Sequence, residues 1–321
     1  MMFRIKIESE QHWHDLRRAH IGASEVSALF GEHPQTSRWD LWQRKAGNLP
    51  DPDLGANERV VWGQLIEPAI GQGVQQMHGH TVRKIHTYWT SDTTPGMAAS
   101  LDFEIVTDPR GAGVLEAKTV DRLIWRDWPE DEAGERQPPL HYQLQLQHQL
   151  AVTGRGWGLL AVLIGGNELR VYEYTRDDDT IRLLRDAVTD FWRSIRADEA
   201  PEPDFQRDAA RVMEMHGRIR QGSVADLTGN NRILGLVETL ETARSRATDW
   251  QHASEVARAE ILDLVRDHEF ARLPDGRILE APTRHRKGFT VEATTFRALQ
   301  VKDAAKSRLP ENDVSQMASV F

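Results

Sequence analysis

Apolar positions along the chain follow two rhythms, a helical repeat of three to four residues and a strand-like alternation, and the order in which they exchange outlines the fold. Trp13 and Leu16, preceded by Ser9 as a cap, predict a first helix that also carries Arg17. ASEVSALFG predicts a short second helix with Ser24 as N-cap and Gly31 as stop. SRWDLWQRKAG and the stretch from Asn57 to about His78 keep the helical rhythm, the latter with a bend at Pro68. TVRKIHTYW, AASLDFEIV and GVLEAKTV then alternate between Gly, Pro and Asp turn signals and predict three strands in an antiparallel meander. Pro139 opens the helix PLHYQLQLQHQLAVTG, with Leu140, Leu144, Gln147 and Ala151 as its stripe and Gly154 as its end. WGLLAVLIGGNELRVYEY predicts a hairpin around Gly165, Gly166 and Asn167, and the helix after Asp179 buries Ile181, Leu184, Val188, Phe191 and Ile195. This order describes an α/β fold with a central mixed sheet between helices.

The rhythm stops at EAPEPDF, residues 199–205, an acidic, proline-rich break that predicts a domain edge. Two domains are expected, 1–205 and 206–321. Beyond the edge a helical tract from about Asn231 to His268 predicts a hairpin of helices, and Asp-Gly in ARLPDGRILEA predicts a β-hairpin. No residue after 206 suggests chemistry, so this part is expected to be an accessory helical and β-hairpin region for oligomer or partner contacts.

Composition narrows the function classes. The 321 residues are 39% hydrophobic, enough for a substantial core. Forty Lys and Arg against 49 Asp and Glu give a formal charge of −9, so a DNA partner requires basic residues gathered locally. The absence of cysteine excludes disulfides, thiolate zinc and iron–sulfur clusters and fits a reducing compartment. MMFRIKIESEQHWH lacks the apolar core of a signal peptide, and no run approaches the roughly 18 apolar residues of a membrane span. A cytoplasmic protein is expected.

Candidate chemistry lies in GVLEAKTV, where Glu116 and Lys118 share one strand face with Ala117 opposite. The plainest account is an edge strand with an ion pair. Asp102, in SLDFE, changes the picture, because pairing of the two strands through the turn at Pro109–Gly113 sets Asp102 facing Glu116. Like charges side by side cost stability unless a cation neutralises them. Hard oxygen ligands on adjacent strands suit Mg²⁺ better than zinc, and a lysine two residues on can orient or help deprotonate a metal-bound water.

Asp, a spacer and Glu-x-Lys resemble the signature of the PD-(D/E)XK nuclease superfamily. WGQLIEPAI before it and QLQLQHQLAVTG after it make the stretch from about Trp13 to Trp192 similar to the YqaJ-like viral recombinases and lambda exonuclease-type nucleases. The resemblance implies a PD-(D/E)XK core with a C-terminal extension. It implies that Glu67, Asp102, Glu116 and the Ala117 carbonyl hold Mg²⁺, for which Mn²⁺ can substitute. Lys118 is then the catalytic lysine, and the family's glutamine motif falls on Gln145. His141 and Tyr142, one helical turn earlier, are candidates for the same pocket, a partly exposed helix histidine being the plainer reading of His141. Two departures stand out, Gln149 where relatives carry an aromatic residue, and SLDFE where they commonly have Pro before the Asp and Gly after it.

The family's 5′-phosphate pocket maps onto Arg17, Ser24 and Ser100, and a serine at a helix N-terminus is a physically apt anion site. Trp62 reads as packing beneath the Glu67 helix, and RHRKG, residues 284–288, as either a DNA contact or solvated surface. The resemblance implies a phage or prophage exonuclease that resects double-stranded DNA ends 5′→3′ for a single-strand annealing protein, working as a homotrimer. The alternatives are a structure- or sequence-specific endonuclease of the same superfamily and a catalytically silent DNA-binding protein.

Overall fold

The computed structural model describes residues 3–52, 55, 57–285, 287–288 and 297–300. It divides into two compact units, Met1–Met215 and His216–Phe321. The first unit thus runs past the proline-rich break at 199–205 and takes in one further helix, anchored where Asp208 accepts a 2.8 Å hydrogen bond from the Ser37 hydroxyl.

The first unit opens with β1 (Phe3–Lys6), α1 (Glu10–Arg18), a short 3₁₀ helix at Val26–Phe30, α2 (Arg38–Lys45) and α3 (Glu58–His78). Ser9 and Ser37 cap α1 and α2, accepting from the amides of His12 and Asp40. Pro68 lies inside α3. The short helix departs from the expected cap: Glu25 occupies the N-cap position, and Ser24 precedes it in the exposed turn.

The strands TVRKIHTYW and AASLDFEIV each divide in two, giving β2 (Val82–Lys84), β3 (Thr87–Thr90), β4 (Ala98–Ser100) and β5 (Phe103–Ile105). The expected meander is therefore two sheets. One has the order β1-β3-β4; the other, β2-β5-β6-β7-β8, contains β6 (Gly113–Val120), β7 (Trp157–Ile164) and β8 (Glu168–Thr175). Only β6 and β7 are parallel within this sheet, so it is mixed. The second strand divides at Leu101–Asp102, where the Asp102 carboxylate, in place of a backbone carbonyl, accepts from the Ala117 amide at 2.9 Å.

Between β6 and β7 come the short α4 (Arg122–Arg126) and α5 (Leu140–Thr153); α6 (Asp178–Ala197) and α7 (Phe205–Met215) close the unit. Leu115 and Ala117 pack with Ile70 and Val74 of α3 on one face of the sheet, and Val114 packs with Leu146 and Leu150 of α5 on the other. Helices on both faces explain why β7 is apolar throughout and β6 is buried along most of its length. Helix α5 is buried all round from Leu144 to Thr153, and Leu140, predicted in its inner stripe, is 48% exposed because it stands at the helix start. Gly154 ends the helix at φ +67°, where a residue with a Cβ is strained. Trp62 extends the Ile66–Ile70–Val74 stripe of α3 by one turn but is 60% exposed and does not pack beneath it.

In the second unit the tract expected to fold as a helical hairpin is a single helix, α8 (Ile233–Val265). It contains no proline, and no glycine after Gly235, so nothing in its Ala-, Glu- and Arg-rich course breaks the hydrogen-bond ladder. The expected β-hairpin is present as β9 (Phe270–Arg272) and β10 (Ile278–Glu280). Arg284, His285 and Lys287 of RHRKG are exposed, and Arg286 lies outside the described residues. Among the described residues no helix is long and apolar enough to cross a membrane.

Candidate active site

The division between β4 and β5 and the alternation of β6 jointly build the site. Phe103 pairs with Leu115, so the residues one step outward, Asp102 and Glu116, come side by side. Glu116 and Lys118 face α5, and Lys118 Nζ donates to Glu116 Oε1 at 2.6 Å. Gln145 of α5 donates to the same oxygen, and Gln149, one turn later, donates to Oε2 at 2.6 Å. Glu116 is only 2% exposed, and its buried charge is met by one ammonium and two amides.

Asp102 is less well compensated. Burial, reinforced by the Glu116 carboxylate and more weakly by Glu67, pushes its carboxyl up to about 8 against the pull of Lys118 and the Ala117 amide. Burial also works against the Lys118 ammonium, but Glu116 and Asp102 outweigh it and hold the lysine above its ordinary value. Two buried carboxylates with one full counter-charge are a donor set suited to a hard cation.

Glu67 sits on α3, ion-paired with Lys84 of β2, whose ammonium also lies 4.8 Å from the centre of the Phe103 ring. Among the described residues no three His, Cys, Asp or Glu side chains converge closely enough to hold a metal ion. Glu67 thus stands paired with Lys84 and is not grouped with Asp102 and Glu116. Of the Ala117 backbone, the amide is the part engaged with Asp102.

Arg17, Ser24 and Ser100 meet the carboxylates in one cleft of about 230 Å³, which Trp13, Asp102, Glu116, Lys118 and Gln145 also line. The turn around Ser24 differs from the expected helix N-terminus. The Gly22 amide of that turn donates to Glu25 Oε2 at 2.9 Å, and the helix that follows has only five residues. His141 and Tyr142 do not line the cleft. Tyr142 packs with Trp128, and its ring centre lies 5.5 Å from the Lys118 ammonium. His141 is half-buried, and burial, with the charges of His33 and Lys118, lowers it to about 4.

The span that carries every one of these residues, 12–156, matches the family described as the YqaJ-like viral recombinase domain. Over these residues the chain is similar to that family. The chain is 28% identical over 228 residues to the uncharacterized protein YqaJ of Bacillus subtilis (strain 168), covering 70% of this chain and 69% of that protein. Among solved structures, LHK-Exo in complex with dAMP aligns with a TM-score of 0.49 and 20% identity, over 63% of this chain and 99% of that one. The alkaline exonuclease LHK-Exo from Laribacter hongkongensis aligns with a TM-score of 0.46 and 19% identity over the same shares.

Two residues of this YqaJ-like site were not among the sequence candidates. Gln149 holds Glu116 and also approaches the Ser100 carbonyl at 3.3 Å; its spacing of four from Gln145 was a usable signal, since such residues share a helix face. Glu25 contacts Arg17, and no spacing in the sequence points to that pair.

Proposed function

We propose that the protein is a divalent-metal-dependent deoxyribonuclease that resects double-stranded DNA 5′→3′ from its ends. The observation that supports this most is the shared cleft, in which Arg17, Ser24 and Ser100 lie beside Asp102, Glu116, Lys118 and Gln145. An anion site next to a carboxylate pair suits a substrate whose terminal phosphate is bound while a neighbouring phosphodiester is cut.

Asp102 and Glu116, with Glu67 and the Ala117 carbonyl as further oxygens, are the groups that would hold the metal, with Mg²⁺ the first choice and Mn²⁺ a substitute. A bound divalent ion supplies a more acidic water and neutralises charge developing on the phosphate. Gln145 and Gln149 fix the orientation of Glu116. Lys118, paired with Glu116, is placed to handle the attacking water and to meet charge developing on the phosphate. Arg17, Ser24 and Ser100 hold the terminal phosphate and set which end of the strand enters.

By resemblance the protein works as a homotrimer and hands the exposed 3′ strand to a single-strand annealing protein. Linear and covalently closed circular duplexes incubated with Mg²⁺ test the activity. Degradation of the linear form with the circle spared is expected; cutting of the circle identifies an endonuclease, and inertness toward both a silent DNA-binding protein.

A further inference from the structure

Glu25 is a buried charge beside the cleft that the proposed chemistry does not use. Its carboxylate is held from three sides. Gly22 N–H and Lys45 Nζ each donate to Oε2 at 2.9 Å, and Arg17 Nη2 donates to Oε1 at 3.3 Å. Lys45 also donates to the carbonyls of Arg17 and His20, at 2.7 and 2.8 Å, and so secures the last turn of α1. The Trp13 ring lies under the Arg17 guanidinium, 4.7 Å from its centroid.

This is not an exchangeable surface pair. The side chains of Lys45, Glu25 and Arg17 are 5%, 19% and 25% exposed, and a network so enclosed is little screened. Burial works against the Glu25 carboxylate, yet Lys45 and Arg17 hold it down at about 2, so it is an anion at any working pH. Position completes the argument. Arg17 and Ser24 line both the catalytic cleft and a neighbouring cavity of about 380 Å³, whereas Glu25 lines only the latter. Glu25 therefore takes one guanidinium N–H from behind and leaves the remaining donors for a ligand in the cleft.

We propose that Glu25 is the positioning residue of the anion site: together with the Trp13 ring it fixes the Arg17 guanidinium for a terminal 5′-phosphate without touching the substrate. This rests on the reading of the cleft as a 5′-phosphate-dependent nuclease site. A guanidinium fixed before binding loses less conformational freedom when the phosphate arrives, and its charge-assisted bonds then count more fully toward discrimination.

The test is kcat/KM on linear duplexes bearing a 5′-phosphate or a 5′-hydroxyl, for the wild type, Arg17→Ala, Glu25→Gln, Glu25→Asp and the Arg17→Ala/Glu25→Gln pair. Glu25→Gln should lower the phosphate preference by roughly tenfold, most of the way to Arg17→Ala, and the pair should match Arg17→Ala alone. Glu25→Asp, which keeps the charge but is one methylene shorter, should fall between. A purely structural loss lowers both rates together and leaves their ratio intact, which overturns the proposal, as does a pair whose losses simply add. If Glu25→Gln fails to fold because Lys45 is left unpaired, the ratio for Glu25→Asp decides. Wild-type protein that degrades neither duplex overturns the nuclease reading itself, and one that degrades both equally overturns the 5′-phosphate reading and this inference with it.

Discussion

At one end of the cleft Glu116 is buried within the sheet, and side chains of β6 and α5 fill both its oxygens. At the other end Ser24 and Ser100 are exposed, and Arg17 depends on a carboxylate eight residues along the chain, with a lysine of α2 behind it. The first arrangement is made by periodic elements, the second by ion pairs between a helix end, a turn and a neighbouring helix. A sheet-built site is rigid and expensive to alter. An ion-paired one can change its ligand preference while the chemistry behind it stays in place, so substitutions at the two ends should break different properties.

The largest effects belong to the carboxylate end. Asp102→Asn and Glu116→Gln should each lower the rate by on the order of 10³-fold and lose Mg²⁺ binding as well, because a neutral amide is a poor ligand for a hard dication. Lys118→Ala should cost roughly 10²- to 10³-fold in rate with Mg²⁺ and DNA affinities within a few-fold of wild type. Metal titration by calorimetry alongside single-turnover cleavage separates the two classes. Substantial activity in Lys118→Ala returns Glu116 and Lys118 to an ordinary structural ion pair.

Next in size is Arg17→Ala. A terminal phosphate carries close to two negative charges, so losing the guanidinium should cut the preference for 5′-phosphate over 5′-hydroxyl ends by roughly 10- to 100-fold. Duplexes labelled at one 3′ end give the time course. Label released first from the 3′ terminus contradicts the polarity, whatever the rate.

The same contrast governs what could be read from the sequence. Alternation in GVLEAKTV put Glu116 and Lys118 on one face, and the turn at 109–113 paired them with Asp102, both as found. The helix cap at Ser9 and the hairpins at Gly165–Asn167 and Asp275–Gly276 are similarly local, and each is set by a few neighbouring residues. Contacts that depend on tertiary partners did not show. Ser24 looked like a cap, but Glu25 takes that place while its side chain reaches the Gly22 amide, Lys45 and Arg17. The meander divided where a side chain replaced a backbone acceptor, which no period reveals. Glu67 stands on the expected helix, but its pairing with Lys84 depends on where β2 lies.

A smaller effect sharpens the account of Glu116. Gln149→Leu removes one of its two amides and leaves Lys118 and Gln145, so Mg²⁺ affinity should weaken by about tenfold with kcat less affected. The half-saturating Mg²⁺ concentration for cleavage measures this. An unchanged value means that Gln145 and Lys118 suffice to orient the carboxylate.

The smallest expected effect is on stability and turns on Asp102. In the metal-free protein its carboxyl titrates at about 8, against an ordinary value of 3.8. Between these values the folded protein holds a proton that the unfolded chain has released, so stability falls as pH rises from about 4 and the loss is complete once pH passes about 8. A divalent ion beside Asp102 and Glu116 favours the ionised carboxylate and should restore part of what is lost. At pH 9 and about ten times its dissociation constant, Mg²⁺ should raise Tm by a few degrees, about 1–2 kcal/mol, and by less at pH 6, where proton and metal compete. Asp102→Asn cannot ionise, so its metal-free Tm should fall less between pH 6 and 9 and should not respond to Mg²⁺. Thermal melts in EDTA and in Mg²⁺ at both pH values make the comparison, and parallel pH profiles for the two proteins would mean that the uncompensated charge does not reside on Asp102.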